Sequence, residues 1–384
     1  MNGEEKHKYF VTILLAIFCG IITFSVVARV FKIQYGHFPL AAYFESMKGD
    51  DQDKDEIRID DPKKIDTSKL VGTTTVATKL ATTTQYVLMA FDGSKSIQSW
   101  ENILNFAQEM KSTGTTVHFT FFINAVYFLS YGSKDNYISP VGKVAGSAIG
   151  FSDYSKDISD RIVEVNRALM DGHEIGSHTA GHNDGSKWTV DEWAHEFDSF
   201  NYILSNIQML NPGLVLKEAL QLKMTDVVGF RAPNLGVNNN LYALLHERKF
   251  MYDCSQVAKP FSWPFKDSAG LWHIPLGTVK NKNGGIIIAM DYNWWVHQTS
   301  AKDILKKGTK EWDAAKAEVF DAYKNDFDAH YNGNKSPMSI GHHFSLWNDG
   351  VYWEALKDFA SYACTKKDVR CVSHKEFVQA MEGQ

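Results

Sequence analysis

Gln85-Tyr86-Val87-Leu88-Met89-Ala90-Phe91-Asp92-Gly93 is the stretch on which the reading of the fold turns. Tyr86 to Phe91 is an unbroken apolar run of strand length, as a strand buried on both faces requires. Behind it, Trp100 to Lys111 carries Ile103, Leu104, Ala107 and Met110 on one stripe and predicts a helix. The alternation then repeats. Strands are expected at Thr116–Ile123, Glu174–Gly176, Val227–Phe230, Gly285–Met290 and Met338–Gly341. Helices are expected at Ile158–Met170, Val190–Met209, Asn240–Arg248, Ala314–Tyr323 and Val351–Tyr362. Repeated strand–helix units imply an α/β fold with a parallel sheet covered by helices, open or closed into a barrel. In either form, chemistry collects where strands end and loops begin.

Ahead of Gln85 the chain reads differently. After a short tail, residues 1–8, an uncharged run from Tyr9 to Ala28 is long enough to span a bilayer. Residues 9–30 are therefore expected to form one transmembrane anchor. Lys6 and Lys8 before it balance Arg29 and Lys32 after it, so local charge sets no orientation. A cleaved signal peptide is the rival reading, but no Ala-x-Ala-like site follows the run. Residues 31–84 combine an acidic tract, Asp50 to Glu56, with a Thr-rich stretch, Thr73 to Thr84. Neither tract has a period of 2 or 3.6, and both read as stalk or linker. The net charge of −5 and the lack of a basic, aromatic-interleaved tract argue against a nucleic-acid partner. Cys364 and Cys371 flank a short polar loop; a disulfide there would need an oxidising compartment, and two free thiols are the alternative.

Five charged or imidazole sites each end an apolar run: Asp92, His178 with His182, Arg231, Asp253, and His342-His343. If the chain turns helical after Ser177, His178 and His182 share a face about 5–6 Å apart at Cβ, within reach of one cation. Two hydrogen-bonded loop histidines are the plainer alternative.

As an ordered set these residues resemble the polysaccharide deacetylases of the NodB-homology type, carbohydrate esterase family 4. Ala90-Phe91-Asp92-Gly93 is similar to its Thr-Phe-Asp-Asp motif, and Ser177-His178-Thr179-Ala180-Gly181-His182 to its His-x-x-x-His metal motif. Arg231-Ala232-Pro233-Asn234 resembles Arg-x-Pro-Tyr, Asp253 falls at the acid of the fourth motif, and Ile340-Gly341-His342 resembles the final Leu-x-His. The resemblance covers residues 85–384 and implies a distorted, incomplete (β/α) barrel related to the TIM barrel. It departs from the family at the first motif, where two aspartates usually stand, one a base and the other a metal ligand. Asp92 is alone here, followed by Gly93, and is base or ligand according to the alignment chosen. Asp184, two residues past His182, is a candidate for the missing carboxylate, and a water is the alternative in its place.

The resemblance implies a divalent metal, zinc by donor type, on His178 and His182 with Asp92 or Asp184. It implies Asp92 as general base oriented by Arg231, and His342 or His343 as acid beside Asp253, His342 being preferred from the Ile-x-His spacing. Asn234, Trp294 and Trp347 are substrate-side candidates, with aromatic core the alternative for the tryptophans. Asp291, at the end of an apolar run, ranks lower. The expected activity is removal of N-acetyl groups from a cell-wall or extracellular polysaccharide, by a membrane-anchored enzyme with its catalytic domain outside the cytoplasm. A non-catalytic glycan-binding module that keeps the fold, and a hydrolase of small non-peptide amides, are the rival readings.

Overall fold

The computed structural model describes residues 67–72 and 83–383. The expected membrane anchor at 9–30 and most of the stalk lie outside the described residues. Among the described residues no helix is long and apolar enough to cross a membrane.

The central strand β1 (Gln85–Gly93) is buried along nearly its whole length. Its alternate residues serve two cores, as the period of two dictates. Val87, Met89 and Phe91 face a large outer cluster beneath the helices. Tyr86, Leu88 and Ala90 face an inner cluster with Phe122, Tyr252, Cys254 and Trp263. Parallel ladders run from β1 through β2 (Thr120–Ile123), β3 (Glu174–Ser177), β4 (Gly229–Phe230) and β5 (Tyr252–Asp253). Beyond β5 stand β6 (Phe265–Lys266) and β7 (Trp272–His273), which pair antiparallel with each other. A hairpin, β8 (Thr278–Lys280) with β9 (Ile286–Ile288), forms a separate sheet. β10 (Met338–His343) pairs parallel with the other edge of β1. The sheet curls, and single bridges at Val257–Leu276 and Met290–Gly341 take the place of a closing ladder. The result is the expected incomplete barrel.

The helices are α1 (Ile97–Ser112), α2 (Ser155–Met170), α3 (Val190–Ser205), the single turn α4 (Ile207–Leu210) and α5 (Asn239–Glu247). They continue with α6 (Asp291–Thr299), α7 (Lys310–Asn332), α8 (Trp347–Ala363) and α9 (His374–Glu382). The helix expected over 190–209 breaks at Asn206, which leaves helical backbone angles. The one expected over 314–323 is much longer, because Thr309 caps its start by accepting from Trp312 N–H.

β11 (Val369–Val372) pairs with the first half of β1, on the same edge that β2 takes further along. Cys364, at the end of α8, is disulfide-bonded to Cys371 of this strand, with Cα atoms 5.7 Å apart. The bridge therefore ties an outer helix to the centre of the sheet. Replacing both cysteines by serine should lower unfolding free energy by about 2–4 kcal/mol, as read from denaturant melts; an unchanged midpoint would show that the bridge carries no stability.

Candidate active site

At the C-terminal end of β1, Asp92 is 2% exposed. Arg231 follows β4, is fully buried, and its Nη1 donates to Asp92 Oδ1 at 2.8 Å. Burial works against the guanidinium charge, but the neighbouring Asp92 carboxylate outweighs it and raises the Arg231 pKa. The guanidinium also lies 4.6 Å from the centroid of the Phe122 ring. Arg231 does a second task through its backbone, since its carbonyl accepts from His178 Nδ1–H at 2.7 Å. That bond fixes the tautomer of His178, with the proton on Nδ1.

His178 and His182 do converge, with ring centroids 4.8 Å apart. The chain does not turn helical there. The chain after β3 is a loop in which Thr179 and His182 both take positive φ, 67° and 58°. The histidines therefore meet through a folded-back loop rather than along a helix face.

The terminal histidines are sorted by register. Phe91 pairs with His342 and Asp92 with His343, so His343 shares the face of Asp92. A Cβ on Gly341, two residues earlier on that face, would lie 3.2 Å from Arg231 Nη1. His342 points the other way, edge-on to Phe91 and 3.2 Å from the Tyr323 hydroxyl. Burial pushes its pKa down to about 4. By register it is thus His343, and not the preferred His342, that stands on the face of Asp92.

Its carboxylate partner is also different. Asp291, at the start of α6, accepts from His343 Nδ1–H at 2.6 Å and from His343 N–H at 2.8 Å. Although burial disfavours its charge, His343 and His342 hold the Asp291 carboxyl below its ordinary value. Asp253 is buried at the end of β5, where it is bonded to Ser255, with His273 Nδ1 3.8 Å away. Burial raises its pKa. It is not the acid beside the terminal histidine.

Asp184 is exposed and accepts from Ser186 N–H at 2.9 Å in a local turn. Among the described residues no group of three or more His, Cys, Asp or Glu is gathered to hold a metal. Neither Asp184 nor Asp92 therefore completes a three-residue set with the histidines. Asn234 sits half-buried in the turn after Arg231, with φ 55°. Trp294 and Trp347 are buried, and Trp347 stacks on Trp295 at 4.5 Å and contacts His343 at 5.4 Å. Trp347 backs His343, whereas Trp294 packs edge-on to Tyr323 on the side of His342; buried as they are, neither offers a free face to a sugar. Glu196, missed in the sequence, is fully buried beside the histidine loop. Its signal was a carboxylate on the stripe of α3 that holds Trp193, Phe197 and Phe200.

No protein-family model matches the chain. It is 33% identical over 98 residues to chitin deacetylase 1 of Bombyx mori, a match that spans 24% of this chain and 16% of that protein. The structure superposes on the putative polysaccharide deacetylase of Mycobacterium smegmatis with a TM-score of 0.54 at 16% identity, covering 82% of this chain and 96% of that one. A probable polysaccharide deacetylase of Pseudomonas aeruginosa PAO1 gives a TM-score of 0.47 at 14% identity, covering 78% and 91%. The curled sheet, its helices and the ordered strand-end residues together give this chain the polysaccharide-deacetylase fold.

Proposed function

We propose that the protein is a divalent-metal-dependent deacetylase that hydrolyses N-acetyl groups on an extracellular or cell-wall polysaccharide. The observation that carries the reading is the meeting of Arg231 with both Asp92 and His178, beside a His343–Asp291 pair on the same face of the sheet. The paired imidazoles suit a borderline cation such as zinc. With no third protein ligand gathered among the described residues, oxygen donors from water or substrate would fill the remaining positions. When bound, the cation lowers the pKa of water and polarises a carbonyl oxygen.

The protein groups divide the proton chemistry. Asp92, held in place by its bond from Arg231, accepts the proton of the attacking water and so acts as base rather than ligand. His343 Nε2–H faces the leaving amine and donates to it. Asp291 holds the opposite nitrogen, fixes the ring's orientation and stabilises the imidazolium. Substrates of a wall or matrix do not diffuse, which suits anchoring through residues 9–30. The Cys364–Cys371 bridge supports an oxidising, extracytoplasmic compartment. A glycan-binding module without activity is the second reading, favoured by Gly93 in place of the family's second aspartate and by the two-histidine donor set.

Acetate release from a panel of N-acetylated glycans, with chelator and with added zinc, separates the two. The parent chain should release acetate, stop with chelator and recover with zinc. Asp92→Asn should keep the zinc and lose about 10²–10⁴-fold in kcat. Zinc lost from that variant would make Asp92 a ligand, and a parent without metal or acetate release would leave the binding module.

A pH series distinguishes the two terminal histidines. The native fold holds His342 near 4, below the ordinary imidazole value of about 6.5. Its contribution to stability is therefore present above about 6.5 and lost as pH falls from there toward the folded value. His342→Gln should flatten that limb in urea melts and leave kcat within a few-fold. His343→Gln should cut kcat by about 10²-fold or more; the opposite pattern would restore His342 as the acid.

A further inference from the structure

The loop that joins His178 to His182 is held by bonds that the proposed chemistry does not use. Each of its four carbonyls accepts from the segment that follows β2. Asn124 Nδ2 donates to His178 O, Ala125 N–H to Thr179 O at 3.4 Å, and Val126 N–H to Ala180 O at 3.1 Å. Ala148 N–H donates to Gly181 O at 2.9 Å.

The donor side converges on one carboxylate. Gly181 N–H donates to Glu196 Oε1 at 2.6 Å, and the Tyr137 hydroxyl donates to Glu196 Oε2 at 2.8 Å. The Thr179 hydroxyl bonds the same carboxylate while accepting from His182 N–H at 3.1 Å. Asn183 Nδ2 reaches the Tyr137 oxygen at 3.1 Å. Glu196 thus stands one bond from Gly181 and two from the backbone of His182. Position 181 has no room for a side chain, since a Cβ there would lie 2.1 Å from the Tyr137 oxygen.

Such an arrangement needs a reason. A fully buried carboxylate is costly unless its lone pairs are filled, and burial raises the Glu196 pKa. Positive φ at Thr179 and His182 is disfavoured for residues with a side chain, so this loop needs support from outside itself. We propose that Glu196 and Tyr137 are positioning residues that hold the loop where His178 and His182 converge, so that the pair forms a cation site before any cation binds. This inference rests on the reading of the two histidines as metal ligands.

The test is zinc affinity of the full chain, measured by competition with a chromophoric chelator well below the melting temperature. Cobalt(II) absorption bands serve as a second readout. Tyr137→Phe and Glu196→Ala should each bind zinc about 10–100-fold more weakly, as removal of partners behind metal ligands does elsewhere. Their cobalt bands should shift, while His178→Ala should abolish binding. Lowered melting temperatures with parental zinc affinity would overturn the positioning role and leave the metal site intact. A parent chain that binds no zinc would overturn both. If Glu196→Ala fails to fold, Tyr137→Phe removes a single hydroxyl and decides the matter alone.

Discussion

The site is organised by one buried ion pair. Asp92 lies on β1 and Arg231 directly after β4, with β2 and β3 between the two strands, and each is placed by the residues immediately before it. Both charges are buried, so loss of one partner would cost about 3–5 kcal/mol. A buried pair of this kind adds little net stability over an apolar replacement. What it adds is definition: Asp92 is bonded to the side chain of Arg231, whose backbone carbonyl in turn orients His178. Asp92 and one imidazole are therefore set by the same residue.

Around that pair the chain uses different means for its two histidine sites. His343 sits on a strand with neighbours in register and a carboxylate bonded to both its ring and its backbone. His178 and His182 sit on a loop, and the segment after β2, with α3, supplies the rigidity that a strand would have given. The absence of a second aspartate fits this picture. Gly93 takes φ 104°, a conformation that residues with a side chain rarely adopt.

Much of this was legible in the residues. The apolar run of β1 and the stripes of α1 and α2 are strong enough to be read without tertiary context. So are the strand-end positions of Asp92 and Arg231. The choice between His342 and His343 was not, because it depends on the parity of β10 against β1, which pairing alone determines. Asp253 and Asp291 look alike in sequence, each ending an apolar run; only the route of the chain through the β8–β9 hairpin brings Asp291 to His343. The His-x-x-x-His spacing was legible and its backbone was not, since left-handed Thr179 and His182 are held by contacts 15 to 54 residues distant in sequence, from the Gly181–Glu196 bond to the Asn124–His178 bond. Strands of two residues, such as β4 and β5, carry too little pattern to be bounded, and Trp294 and Trp347 show that an aromatic near a site is more often packing than platform.

The place of β11 between the start of β1 and the approach to β2 bears on the order in which the molecule assembles. β1 is the strand on which the rest of the sheet is built, yet two of its partners, β10 and β11, come from the far end of the chain; Gln85 donates to the carbonyl of Ser336, 251 residues later. Until those residues have been made, β1 has one edge fully open and half of the other unfilled, with a row of unpaired amides beside a strongly apolar strand. Contacts of such long sequence separation form slowly. A nascent chain would thus have to keep its most adhesive strand from pairing with neighbours for most of its synthesis, and its protection would come from whatever accompanies the emerging chain rather than from its own fold.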